Sequence, residues 1–263
     1  MGAALPSGAP APGLTAADFT VREDGINREV IRVEPAPPPS HVLLLVDDSQ
    51  AADGAVPFLR TALANFMTRV GSTTPAPQFA LMTFGERPTM RAAFNPTAKS
   101  AQEAASRIFS IPAAGSYFLD AILDGCKDLR KRTAASPVIV AFVNEAGPEF
   151  SNVSHKQVSD ALQGTGASLW VVVRQNSRST DRSQEAYERA AVLGDVTRDT
   201  GGISRVILSD QSIEGAFDGV AALLMSRYLV AYSRPDQTIP PTSVEVTSKR
   251  PDVKLASTRW TTR

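Results

Sequence analysis

The segment that most constrains the chain is His41-Val42-Leu43-Leu44-Leu45-Val46, an apolar run that stops abruptly at Asp47-Asp48-Ser49. An unbroken run of this length reads as a central parallel strand covered on both faces. Parallel strands in one sheet need crossover connections, so helices must alternate with strands on either side of it. Ligands of open α/β sheets sit beyond the carboxyl ends of the strands. Asp47, Asp48 and Ser49 fall at such an end, and Ala51 just beyond them contributes no side-chain oxygen.

The downstream segments have the expected alternation. Leu59, Leu63, Phe66, Met67 and Val70 form a helical stripe. Phe79–Phe84 reads as a second strand, and Thr89–Phe94 comes too soon after it for a crossover helix, so it is expected to be an antiparallel edge. A helix is expected over 98–109, and another on the stripe Leu119, Ile122, Leu123, Cys126 and Leu129. Val138–Val143 and Leu169–Val173 read as further buried strands. Ser154 with Gln157 fits a capping box opening a helix. A helix over 184–199 closes at Gly201-Gly202, with a short strand near 204–208 after it. A last helix runs through Ile213, Phe217, Val220, Leu223 and Leu224 into Tyr228–Tyr232. The fold class is therefore α/β, a doubly wound, mostly parallel sheet with one antiparallel edge strand.

The ends differ from this pattern. Met1–Gly13 is rich in Ala, Pro and Gly and lacks the apolar core of an export signal. It reads as a disordered tail, or as the new start of a chain whose export signal was removed. Over 14–36, alternation on both sides of Asp24-Gly25 reads as a hairpin. Pro35, Pro37, Pro38 and Pro39 read as a stiff linker into an α/β domain over 40–235. Pro235, Pro240 and Pro241 break the pattern. Val244–Thr247 and Val253–Ser257 then read as a second hairpin within 240–263. The two hairpins are expected to pair into one small β unit, because a hairpin alone is marginal in water.

With 27 basic and 27 acidic side chains the formal charge is zero, and no basic block appears. That argues against nucleic acid as a partner. No apolar run reaches the roughly 18 residues of a membrane span. Cys126 is the single cysteine and sits on an apolar stripe, so it reads as core. Two histidines make a histidine-based metal site or triad improbable, and His155 reads as a surface residue. Gly164-Thr165-Gly166 precedes a strand, so it is a turn and not a phosphate cradle. Asn152-Val153-Ser154 is a glycosylation sequon by pattern, and Trp170 reads as packing.

The carboxylates at 47 and 48 suit two chemistries that the rest of the chain rejects. A phosphoacceptor receiver needs an Asp ending a later strand, but the next strand ends Thr83-Phe84-Gly85-Glu86. An Asp-x-Asp phosphatase needs Asp at 49, where Ser stands. A broader resemblance is carried by Leu14–Gly25 with its Asp18-Phe19-Thr20-Val21-Arg22-Glu23-Asp24-Gly25, by Leu44–Ser49, by Gly115-Ser116-Tyr117-Phe118-Leu119-Asp120-Ala121-Ile122, by Thr200-Gly201-Gly202 and by Arg227–Tyr232. In this order and spacing they resemble the von Willebrand factor type A domains, specifically a bacterial group.

That resemblance implies a Rossmann-like sheet and a non-catalytic protein-binding or adhesion module, outside the cytoplasm (extracellular or periplasmic), with a protein partner. It also implies a metal-ion-dependent adhesion site holding Mg²⁺ through oxygen ligands. Asp47 and Ser49 match the first two ligands, Ser116 stands where the family has Thr, and Asn144 stands where it has Asp. Ala51 replaces a hydroxyl ligand. With one hydroxyl and one carboxylate gone, the expectation is a weakened or lost Mg²⁺ site with Asp47 capping local backbone N–H groups. Tyr117 and Phe118 are candidate contact residues. The remaining readings are a structural subunit without a ligand site and an enzyme on the same scaffold. The latter lacks a nucleophile–base pair or cofactor fingerprint.

Overall fold

The computed structural model describes residues 1–175, 181–234 and 241–259. The break expected at Pro235 and Pro240, and the end of the second hairpin at 260–263, lie outside the described residues. In chain order the strands are β1 (Gly2–Ala4), β2 (Phe19–Glu23), β3 (Ile26–Arg28), β4 (Val30–Pro35), β5 (His41–Val46), β6 (Gln78–Thr83), β7 (Thr89–Asn95), β8 (Pro137–Asn144), β9 (Ser168–Arg174), β10 (Ser204–Ile207), β11 (Tyr228–Tyr232), β12 (Val244–Ser248) and β13 (Lys254–Ala256). The helices are α1 (Val56–Gly71), α2 (Lys99–Ser106), α3 (Phe118–Lys131), α4 (His155–Thr165), α5 (Gln184–Ala191), α6 (Thr197–Asp199) and α7 (Ile213–Met225).

Six strands form the central sheet in the order β10-β9-β8-β5-β6-β7. Its ladders are parallel except that of β7, which runs antiparallel to β6 at the edge, as the short 84–88 connection requires. Alternate side chains of β5 feed two cores. Val42, Leu44 and Val46 pack with Leu59, Leu63 and Phe66 of α1, Ala101 of α2 and Phe217 of α7. Leu43 and Leu45 pack with Leu119, Ile122 and Cys126 of α3, Val158 of α4 and Val196. The strand order reverses between β5 and β8, which places the ends of those two strands, Asp47 and Asn144, on either side of the switch point.

Ser154 caps α4 through Gln157 in the expected box. The helix expected over 184–199 is not uniform: a π-helical turn, Val192–Val196, separates α5 from α6. Thr197 Oγ1 donates to the Val192 carbonyl across that turn at 2.7 Å.

The ends of the chain depart from the sequence reading. Residues 1–13 are ordered: β1 pairs antiparallel with β13, Ala3 and Ala11 are buried, and the Tyr228 hydroxyl donates to the Ala11 carbonyl at 2.8 Å. The expected first hairpin is real only as far as Arg28, with β2 and β3 joined by a turn whose φ values are +47° at Asp24 and +81° at Gly25. β4 pairs instead with β11, which lies outside the central sheet. β12 and β13 do not pair with each other; β12 joins β2 and β13 joins β1. The apolar faces of these strands share a third, small core around Leu14, Phe19 and Val253. Alternation identifies a strand but not its partner, and here the partners come from opposite ends of the chain.

Candidate functional site

Five loops meet at the carboxyl rim of the sheet, stitched by backbone hydrogen bonds. Gln50 N donates to the Ala114 carbonyl, Ile111 N to Asp48, Tyr117 N to Phe84, Ser116 N to Pro148, and Glu145 N to Arg174. Gly85 allows a close backbone approach to the Asp48–Ser49 turn. A Cβ there would lie 2.7 Å from the Asp48 carbonyl carbon and from Ser49 N. Its N–H donates to Asp48 Oδ1 at 2.6 Å, and Arg91 Nη2 reaches Asp48 Oδ2 at 3.4 Å.

Asp47, Ser49, Ser116 and Asn144 are all buried at this rim. Asp47 Oδ1 accepts from Ser49 N at 2.9 Å. Its Oδ2 accepts from both Asn144 N and Asn144 Nδ2 at 3.0 Å. Asp47, Ser49 and Asn144 are therefore linked directly. Ser116 is engaged elsewhere, its Oγ donating to Glu149 Oε2 at 3.0 Å. Glu149 Oε1 accepts from Phe118 N at 3.1 Å and Ser151 N at 3.2 Å. Ser49 Oγ is buried and has no hydrogen-bond partner among the described residues.

Two buried arginines complete the network, and the sequence reading did not single out either. Arg174 ends β9, 7% exposed. Its Nε and Nη2 donate to the two carboxylate oxygens of Asp210 at 2.5 and 3.0 Å. Its Nη1 donates to the Ala51 carbonyl at 2.9 Å and to Asn144 Oδ1 at 3.2 Å. Arg189 of α5 donates to the carbonyls of Gly147 and Glu145 at 2.7 and 2.9 Å, with Glu149 Oε2 at 4.0 Å. The signal that could have found Arg174 is the one that marks Asp47: a charge placed directly after a continuous apolar strand.

This donor set does not fit Mg²⁺. An aspartate can only accept and a guanidinium can only donate, so the Asn144 amide is fixed with its NH₂ on Asp47 and its carbonyl on Arg174. Both Asp47 oxygens already accept N–H groups, Ser116 is committed to Glu149, and Ala51 offers only its main-chain carbonyl, to Arg174. Of these oxygens only Ser49 Oγ and the spare lone pair of Asp47 Oδ1 are uncommitted, so octahedral coordination would have to draw on groups already engaged and place a dication beside a fixed guanidinium.

Burial pushes the Asp47 carboxyl above its ordinary range, against hydrogen bonds from Ser49 and Asn144 that pull it down. Burial likewise raises Glu149 above the usual 4.5, against Ser151, Arg189 and Ser116. A carboxyl raised in the folded state binds more protons there than in the unfolded chain, so its contribution is present below the unfolded pKa and lost as pH rises through the folded one. Glu149→Gln, which keeps an acceptor for Phe118 and Ser151, should therefore gain stability on the wild type as pH climbs from about 4 towards 7. Urea melts at several pH values check this; a constant difference between the two proteins would refute it.

Of the two expected contact aromatics, Phe118 is fully buried at the start of α3 and is corrected to a core residue; Tyr117 is half-buried. An exposed aromatic of this loop cluster is Phe150, 51% exposed. It lies 6.0 Å from the Tyr117 ring, and it covers Gly115, where a Cβ would fall 2.2 Å from its ring.

A doubly wound sheet of this order, with one antiparallel edge and a buried acidic rim at its switch point, is the fold of the von Willebrand factor type A domains. The pilus adhesin SpaC from Lactobacillus rhamnosus GG, in its open conformation, matches with a TM-score of 0.56 and 11% identity, over 79% of this chain and 34% of SpaC. The vWF domain of the type V pili tip protein Mfa5 from Porphyromonas gingivalis matches with a TM-score of 0.51 and 10% identity, over 71% of this chain and 95% of that domain. The human COPII-coat protein Sec24c matches at 0.52 and 12%, over 70% of this chain and 32% of its own. The chain thus spans about a third of the SpaC and Sec24c chains. At these identities the likeness establishes the fold alone. No family model matches the sequence, and no curated protein matches it either.

Proposed function

We propose that this chain is a non-catalytic protein-binding module whose rim works without Mg²⁺. The observation that carries the reading is the relay Asp47–Asn144–Arg174–Asp210, in which a guanidinium supplies the fixed positive charge beside Asn144. Recognition then rests on shape, hydrogen bonds and the exposed Phe150 rather than on a shared metal. The pilus adhesin and pili tip proteins among the structural neighbours support a binding role outside the cytoplasm. No helix among the described residues is long and apolar enough to cross a membrane.

Calorimetric titration with Mg²⁺ and then Mn²⁺ tests the reading. The expected result is no binding heat at millimolar metal and a melting temperature unchanged by EDTA. Saturable heat that Asp47→Ala abolishes would restore a metal-dependent site and overturn the proposal.

A further inference from the structure

Away from the rim, a cavity of about 540 Å³ opens between the strands of the chain ends and the β10 edge of the central sheet. That volume lies in the range of small-molecule sites. Trp170, Ile203, Val220, Leu223 and Leu255 give it an apolar lining. The charged groups around it are Arg198, Arg205, Lys254, Arg259 and a single carboxylate, Glu245. Arg198 is paired with Asp195 and Arg259 with Asp199. Arg205 and Lys254 have no hydrogen-bond or ion-pair partner among the described residues.

Arg205 is held in place rather than left to wander. Its guanidinium lies against two glycines. A Cβ on Gly219 would fall 1.7 Å from Nη1, and a Cβ on Gly8 2.7 Å from Nη2. Gly219 sits inside α7, where glycine is about 1 kcal/mol less favourable than alanine, and the three atoms nearest the space it leaves all belong to Arg205. A half-buried, positioned and unpaired guanidinium at the mouth of an apolar cavity is built to receive an anion, and its planar fork suits a carboxylate best.

We propose that this cavity binds a small amphipathic carboxylate of the straight-chain fatty-acid class, its tail on Ile203, Leu223 and Leu255 and its head on Arg205. Lys254 supplies a second positive charge at the mouth. The site is independent of the rim and would stand if the rim reading failed.

Calorimetric titration of the full chain with decanoate, decanol and decyltrimethylammonium, each below its micellar concentration, tests the proposal. Decanoate should bind about tenfold or more tighter than decanol, the worth of one charge-assisted bidentate pair, and the cationic amphiphile should not bind. Arg205→Met should reduce decanoate to the level of decanol with the melting temperature retained. Gly219→Ala, which favours the helix but drives Arg205 from its seat, should do the same. Equal binding of decanoate and decanol, no binding heat, or a preference surviving Arg205→Met would overturn the assignment. So would tighter binding of an acetylated Asp-Val repeat peptide than of decanoate, which would point to an extended acidic segment as the occupant.

Discussion

Replacing Arg174 with Met should destabilise the protein by about 3 kcal/mol, near the low end for breaking a buried ion pair, because Asp210 retains some exposure. The substitution keeps a long apolar stem of similar volume and removes only the guanidinium. It leaves the Asp210 carboxylate without its bidentate partner and strips a donor from both the Ala51 carbonyl and Asn144 Oδ1. For a chain of this size the melting temperature should fall by roughly 6–12 °C. Asp210→Asn should cost about 1–2 kcal/mol, since Arg174 keeps two other acceptors and loses one charge-assisted pair. Denaturant melts of both variants provide the check. A loss below about 1 kcal/mol for Arg174→Met would show that the guanidinium does not hold the rim together, and the metal-free reading would lose its support.

The prominence of Arg174 shows where sequence patterning runs out. The central sheet was legible because four of its strands, β5, β6, β8 and β9, are buried on both faces, and such strands must be written as apolar runs. Val42–Val46 and Val138–Val143 are completely so. The antiparallel edge was legible from a loop too short to cross over. Asp47 stood out because it ends the most apolar run, and Asn144 and Ser116 only through the resemblance. Arg174 carried the same signal, a charge closing an apolar run, but Arg189 and Glu149 had none comparable. Arg189 lies in a polar amphipathic helix where a buried guanidinium looks like any surface charge, and its partners are carbonyls, which carry no sequence identity.

The chain ends failed for a different reason. An Ala/Pro/Gly composition suggests disorder when a segment must stabilise itself. Residues 1–13 instead cover an existing surface, with Ala3 and Ala11 packed against strands from the far end of the chain. Small side chains suit that role because they let a strand lie close. At Gly2 a Cβ would just reach van der Waals contact with the Trp170 ring at 3.5 Å, so anything larger than alanine would push the strand away. The pairing of β2 with β12 and of β4 with β11 spans nearly the whole chain, and period-2 alternation is silent about partners.

A second large effect is expected at Gly202, which the sequence reading assigned to helix termination together with Gly201. The two glycines do different work. Gly201 adopts a φ of +77° after α6, the left-handed position that ends a helix. Gly202 has no such φ, yet a Cβ there would lie 1.6 Å from the Leu169 carbonyl oxygen and 2.6 Å from its carbon. Those atoms are backbone at the start of β9, where Leu169 is fixed in the ladder to β8 opposite Ile139. No rotamer change can relieve the overlap; either the sheet or the 200–203 segment must move, and Thr200 Oγ1, which accepts from Leu169 N at 2.9 Å, moves with it. Gly202→Ala should therefore cost more than about 4 kcal/mol, the range reserved for severe steric defects. The reference is Gly166→Ala, where φ is +66° and a Cβ would meet nothing within 4 Å. There only the backbone conformation is disfavoured, at about 1–2 kcal/mol. Urea melts of the two variants separate strain from overlap: similar losses at both positions would mean that the 200–203 segment relaxes freely and is not pinned against β9.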